Sequence, residues 1–168
     1  MGYTVGKEDE IGLILAAGAG YRRSVVIDLD GTLIAFQKGQ AKQRTPVFRP
    51  HFRAFIDGLK PHAALFIFSA GSATRSKNIF NKYLKADFKG YFTPRHLYRG
   101  KKCLAEFSSR DHLITIVDDS SYAVHPDSRE LHIHIDRWEG DPDDRGLLYA
   151  LTHVRHFWLC HWLETGGG

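Results

Sequence analysis

The chain is short of cysteine, of long apolar runs and of strong charge excess, and each shortage removes a class of protein. Two cysteines, Cys103 and Cys160, lie far apart in 168 residues and form no C-x-x-C. Neither a disulfide framework nor a cysteine zinc site is therefore expected, and a reducing compartment fits best. An intracellular location is expected, nuclear or cytoplasmic first, with mitochondrial as the alternative. The apolar run from Ile11 to Ala17 is too short to cross a bilayer, so no membrane segment is expected. The acidic Glu8-Asp9-Glu10 before it stands where a secretory signal is basic and where a transit peptide avoids acids. The run reads as a strand or a packed extension behind a polar, poorly ordered start. A formal charge of +4 favours acidic or phosphorylated partners, but no basic stripe interleaved with aromatics appears, so no nucleic acid is expected. No internal repeat and no second domain is visible. With 43% hydrophobic and 12% aromatic residues, one domain has enough apolar material to fold alone.

The organising stretch is Val25-Val26-Ile27-Asp28-Leu29-Asp30-Gly31-Thr32-Leu33. Its apolar, β-branched start reads as a buried parallel strand, and the abrupt change at Asp28 delivers two carboxylates to the strand's carboxyl end. Open α/β sheets place their chemistry there. Residues two apart on an extended segment point the same way, so Asp28 and Asp30 can face one volume, with Gly31 permitting a tight turn behind them. Two such carboxylates suit a hard cation such as Mg²⁺, and beside a phosphate one can attack phosphorus while the other moves protons. The order D-x-D-G-T resembles the first motif of the haloacid dehalogenase superfamily, which implies Asp28 as nucleophile and Asp30 as general acid/base.

Upstream, Leu15 to Arg22 resembles the glycine-rich phosphate loop of sugar nucleotidyltransferases. That family needs a far larger domain after the loop, and here the aspartate strand intervenes, so the likeness is read as accidental. Ile34 to Val47, rich in Lys, Arg and Gln, reads as a surface loop or short flap, too short for a cap domain. Arg49-Pro50 opens a helical stripe of Phe52, Phe55, Ile56 and Leu59 that stops at Lys60-Pro61.

A second buried strand, Ala63 to Phe68, ends at Ser69. The Ser69 hydroxyl and the backbone N–H groups of Ala70 and Gly71 can bind phosphate oxygens. Ser72 caps a helix striped by Ile79, Phe80, Tyr83 and Leu84. A third strand, Leu113 to Val117, ends in Asp118-Asp119-Ser120, after the lysines Lys101 and Lys102. Strands alternating with helices predict an α/β fold, a doubly wound parallel sheet with flanking helices. Three strand ends and a lysine then supply a nucleophile, a hydroxyl, a cation and metal ligands.

Arg49-Pro50, the Ser-Ala-Gly strand end, Arg99-Gly100-Lys101-Lys102-Cys103-Leu104, Val117-Asp118-Asp119-Ser120 and Ala123-Val124-His125-Pro126 together resemble the small C-terminal-domain phosphatases. That group is also called the nuclear LIM interactor-interacting factor family, and the likeness runs from about Ser24 to Phe157. It implies a Mg²⁺-dependent phosphatase of HAD-like fold without a cap, removing phosphate from Ser or Thr of a protein. It implies Asp28, Asp30 and a lysine as catalytic residues, with Lys102 favoured over Lys101 by its spacing from Asp118. It implies Ser69, Ala70 and Gly71 at the phosphate, Asp28, Asp30 and Asp119 at the metal, and Asp118 and Thr32 in support, Asp118 holding the lysine. Gly31 stands where the group often has Glu, Ser69 where Thr is usual, and Cys103 where Asp commonly follows the lysine. The short segment between Asp28 and Ser69 implies that the insertion shaping the peptide groove is reduced or missing. A mitochondrial import receptor shares this domain, so a binding module is the alternative; a nucleic-acid end phosphatase is a third.

The rest reads as structural. His132 and His134 share a face of a strand without a third ligand at metal spacing. Asp141-Pro142-Asp143-Asp144 starts a helix whose stripe is Leu147, Leu151, Val154, Trp158 and Trp162, with His153, His156 and His161 solvated beside it. Any exposed share of Phe157, Trp158 and Trp162 is a candidate docking surface. The organisation expected is an extension over 1–23, the phosphatase-like domain over 24–164 and a disordered tail over 165–168.

Overall fold

The apolar runs become strands buried on both faces. A computed structural model describes residues 6–36, 45–85 and 87–166; residues 37–44 of the expected flap and the end of the glycine tail lie outside them. In chain order come helix α1 (Lys7–Ala16), strand β1 (Arg23–Ile27), strands β2 (Ile34–Phe36) and β3 (Pro46–Phe48), helix α2 (Phe52–Leu59) and strand β4 (Ala64–Phe68). Helix α3 (Ala73–Ile79), which runs on as a π-helical turn over Phe80–Leu84, is followed by β5 (Gly90–Phe92), β6 (Leu113–Asp118), β7 (His132–His134) and helix α4 (Gly146–Glu164).

Five strands form one parallel sheet in the order β5-β4-β1-β6-β7, with Val26 level with Phe66 on one side and Ile116 on the other. Strand side chains alternate, so the sheet has two apolar faces to cover. Val25, Ile27, Leu65, Ile67 and Val117 pack with Phe55, Ile56 and Leu59 of α2 and with Leu147, Val154 and Trp158 of α4. Val26, Phe66, Phe68, Ile114 and Ile116 pack on the other face with Ile11 and Leu15. The fold is thus a doubly wound α/β domain. Trp158 is buried and its indole N–H donates to Thr115 Oγ1 at 3.1 Å, so it belongs to the core, while Trp162 stays exposed. Among the described residues no helix is long and apolar enough to cross a membrane.

The reading of Ile11 to Ala17 as a strand or extension is corrected. The segment is helical from Lys7, taking in residues expected to lack order, because Glu8, Asp9 and Glu10 fall in its first turn, where the helix dipole favours acids. Ile11 and Leu15, four apart, are buried under the sheet while Leu13 is exposed, a spacing that a continuous apolar run conceals.

Gly18 closes this helix onto β4, and a Cβ there would overlap the Ala64 methyl. The glycine therefore serves close packing. Gly18→Ala is expected to cost about 1–3 kcal/mol by overpacking, read as a lower urea midpoint with unchanged slope.

Candidate active site

β1, β4 and β6 are parallel neighbours, so their carboxyl ends open on one edge. Asp28 continues the β1 ladder by donating its N–H to Val117 O at 2.8 Å. The chain then turns at once: Leu33 and Ile34 both donate to Leu29 O at 3.0 Å, and Gly31 takes φ +81. A Cβ on Gly31 would lie 2.9 Å from Asp119 Oδ2, so glycine is favoured here by conformation and by space.

Lys102 reaches this edge from the opposite side. It forms a parallel bridge with Val124, donating to Ala123 O and accepting from the His125 N–H, each at 2.8 Å. Its Nζ sits 2.5 Å from Asp28 Oδ1 and 2.5 Å from Asp118 Oδ2 and is only 1% exposed. Lys101 turns elsewhere, its Nζ over the Tyr122 ring at 4.0 Å. Asp118 Oδ1 also accepts the Ser120 N–H at 2.8 Å.

One buried lysine faces two carboxylates, and the surplus negative charge is felt at Asp28. Burial, reinforced by Asp118 and Asp119 and opposed by Lys102, pushes its pKa up to about 7. Burial works against the Lys102 charge, yet the two carboxylates together hold its pKa above the ordinary value.

Asp28, Asp118 and Asp119 each offer an oxygen, all within 4.8 Å of one another. Hard oxygen donors around an under-neutralised carboxylate fit a divalent cation. Asp119 accepts from Thr32 Oγ1 at 3.3 Å and from Arg137 Nη1 at 3.0 Å, and its N–H donates back to Thr32 Oγ1 at 3.1 Å. Asp30, expected at the metal, lies outside this trio. Its carboxylate forms a two-pronged ion pair with Arg75 and accepts from Ser69 Oγ at 3.4 Å. Ser69 is buried and accepts the Gly71 N–H at 3.1 Å, while Ala70 is exposed at the turn.

Beside Asp30 a groove of about 960 Å³ runs between the antiparallel β2–β3 hairpin and α3, lined among others by Phe36, Pro46, Arg75, Lys82 and Tyr83. The segment between Asp28 and Ser69, though short, thus supplies one wall. His132 Nε2 lies 3.1 Å from Asp118 O and the half-exposed His134 beside it; among the described residues the pair joins no cluster of three ligating groups.

Three arginines escaped the sequence reading. Arg75 sits in the first turn of α3, where the helix dipole disfavours a cation, and that misfit is the signal of an acidic partner. Arg137 follows β7 with no local cue. Arg49, read only as a helix opener, is 1% exposed; it pairs with both oxygens of Asp144, at 2.6 and 2.9 Å, and points Nη1 at the carbonyls of Gly31 and Thr32, at 3.4 Å each. It ties the aspartate turn to the start of α4, where Asp144 also accepts the Gly146 N–H at 2.9 Å.

This bidentate pair, above all the Arg49 hydrogen bond, holds the Asp144 pKa below the ordinary 3.8. Its contribution is therefore full above that value and is lost as pH falls through the lower folded one. Arg49→Lys loses the fork geometry and is expected to cost about 2 kcal/mol at neutral pH, checked by urea unfolding.

Solved structures share this arrangement of sheet and helices. A Xanthomonas campestris haloacid dehalogenase-like hydrolase is 10% identical, with a TM-score of 0.58 over 83% of this chain and 97% of its own. A variant of fission yeast RNA polymerase II CTD phosphatase Fcp1, bound to beryllium fluoride, is 14% identical with a TM-score of 0.55, covering 91% of this chain and 54% of its own. Another structure of Fcp1, described as an essential RNA polymerase II CTD phosphatase, is 13% identical with a TM-score of 0.55, covering 94% of this chain and 53% of its own. The chain thus spans about half the length of the Fcp1 chains. No curated protein sequence matches it. At these identities the likenesses establish the fold, a haloacid-dehalogenase-type α/β domain. The sequence profile described as NLI interacting factor-like phosphatase matches residues 23–158, and the chain belongs to that family.

Proposed function

We propose that this chain is a Mg²⁺-dependent phosphatase that removes phosphate from serine or threonine of a protein through an aspartyl-phosphate on Asp28. The observation that carries the reading is the Lys102 ammonium bridging Asp28 and Asp118 at 2.5 Å each, beside Asp119. It keeps the attacking carboxylate in place with a fixed cation at the point where phosphoryl oxygens would gather.

In the proposed cycle an Asp28 oxygen attacks phosphorus and the bond to the substrate oxygen breaks, Asp30 giving that oxygen its proton. Asp30 then takes a proton from water, the water oxygen attacks the same phosphorus, and the bond to Asp28 breaks. Inorganic phosphate leaves, Asp28 is again a free carboxylate and Asp30 again carries the proton with which the cycle began. Arg75 must release Asp30 for it to reach the leaving oxygen. Ser69 and the N–H groups of Ala70 and Gly71 hold phosphate oxygens. Asp28 and Asp119 would hold Mg²⁺, with Asp30 at the same turn, and the ion would neutralise phosphate charge. Asp118 and Thr32 position Lys102 and Asp119.

An extended protein segment suits the site because the groove beside Asp30 is open and carries Arg75 and Lys82 among aromatic side chains. The likeness to Fcp1, a CTD phosphatase of RNA polymerase II, supports the same substrate class.

The test is hydrolysis of an aryl phosphate by the purified chain, with Mg²⁺ and with chelator, followed by phosphoserine, phosphothreonine and phosphotyrosine peptides. Activity that needs the metal and favours the first two peptides is expected. Folded, Mg²⁺-supplied protein without activity would turn the reading to a binding module.

A further inference from the structure

Cys103 follows the buried lysine directly, and adjacent residues of an extended segment point to opposite sides. Lys102 therefore goes into the acidic site while Cys103 emerges on the other side of the strand-like bridge. His125 emerges likewise after the buried Val124, the bridging partner of Lys102, so the two side chains become neighbours across a parallel pair. Pro126 turns the chain, and Asp127 comes back with its Oδ2 3.5 Å from His125 Nδ1 and its N–H 3.3 Å from the same nitrogen. The fully buried Ser128 locks both segments: its Oγ accepts the N–H groups of Leu104 at 2.9 Å and Ala105 at 3.1 Å.

We propose that Cys103, His125 and Asp127 form a second metal site, selective for a zinc-class divalent cation and separate from the acidic cluster. Their three ligand atoms lie within 4.8 Å of one another. Ligand bonds of about 2.0–2.3 Å in a tetrahedron place ligand atoms roughly 3.5 Å apart. Asp127, with a side chain 72% exposed, has the freedom to close that gap. One thiolate, one imidazole and one carboxylate suit zinc and disfavour magnesium, which takes oxygen donors.

Cys103 and Asp127 border a cavity of about 430 Å³ whose wall also carries Glu8 and Glu106, so a water or a carboxylate there would complete the shell. The same three residues do not make a thiol nucleophile. Burial first, then Asp127 and Glu106, push the Cys103 thiol up, the opposite of an activated thiolate. On binding, the cation replaces the thiol proton, which leaves to solvent. A cation held there clamps the segments on either side of the Lys102 bridge and stabilises the fold.

The test is a Co²⁺ titration of the reduced full chain with Mg²⁺ in excess, followed by back-titration with Zn²⁺. A thiolate-to-cobalt charge-transfer band is expected, saturating at one ion per chain and removed by Zn²⁺; oxygen ligands at the acidic cluster give no such band. Cys103→Ser should abolish it, and His125→Ala should weaken Co²⁺ binding by about tenfold or more. Asp127→Asn, at an exposed position, should weaken it similarly and serves if Cys103→Ser fails to fold.

Cys160 Sγ lies 3.5 Å from His156 Nε2 on α4, a competing thiol-imidazole pair. Cys160→Ser must therefore leave the band unchanged. Absence of the band in the parent chain, unchanged Co²⁺ affinity in Asp127→Asn, or loss of the band in Cys160→Ser would overturn the proposal.

Discussion

Asp28→Asn is expected to lower turnover of an aryl phosphate by a factor on the order of 10⁴ or more while the domain stays folded. The amide has nearly the shape of the carboxylate but is no nucleophile, so the covalent step has no substitute. Stability should not suffer, because Lys102 keeps its second partner, Asp118, at 2.5 Å.

In the metal-free protein the change should help at alkaline pH. With its pKa at about 7 against an ordinary 3.8, Asp28 binds a proton in the folded chain that the unfolded chain has already released. Stability therefore falls as pH rises from about 4 through 7, and the neutral Asn removes that slope. Urea midpoints between pH 4 and 8, with and without the substitution, measure it. Full activity in a folded Asp28→Asn protein would end the aspartyl-phosphate reading.

Lys102→Met should be damaging in both respects. It leaves Asp28 and Asp118, with side chains 11% and 1% exposed, facing each other without their cation. Removing one partner of a buried ion pair costs about 3–5 kcal/mol, and losing a fixed cation at the reacting group should lower turnover by about 10²–10³. The pH dependence separates this cause from simple loss of packing.

In the parent chain Lys102 has a raised pKa, so its contribution is complete below the ordinary 10.5 and is lost only as pH rises through the higher folded value. Titration of Lys102 itself therefore adds no slope between pH 5 and 8, where the parent's slope comes from Asp28. In the variant Asp28 loses the cation that opposes the effect of its burial and takes up a proton more readily as pH falls, so stability should recover from pH 8 toward pH 5. Added Mg²⁺ should stabilise Lys102→Met more than the parent, since it restores positive charge. A pH-independent loss would assign the effect to the missing lysine stem.

The parallel α/β architecture was legible because it rests on contiguous residues. Val25 to Ile27, Ala64 to Phe68 and Leu113 to Val117 announce strands by unbroken apolar, β-branched runs, and Asp28, Ser69 and Asp118-Asp119 mark where those runs end. Helices α2 and α4 announce themselves by spacing, although α4 begins at Gly146, after the Asp141–Asp144 segment expected to start it. Helix α1 was misread, where the apolar run masked the four-residue interval of Ile11 and Leu15; the segment read as a loop or flap carries β2 and the start of β3, and β5 is too short for any pattern. The family resemblance rested on the same local motifs, and the matched residues 23–158 cover them.

What the tertiary structure alone decided are meetings between residues remote in sequence. Lys102, not Lys101, meets Asp28 across 74 residues, and Arg49 meets Asp144 across 95. Asp30 turns from the acidic trio to Arg75, and Cys103, without a second cysteine at zinc spacing, finds His125 and Asp127 instead. Periodicity and turn chemistry are set by neighbours along the chain, so a sequence displays them. Which charged side chains are buried against one another depends on sheet order and on the register of the Lys102–Val124 bridge, and those exist only once the chain has folded.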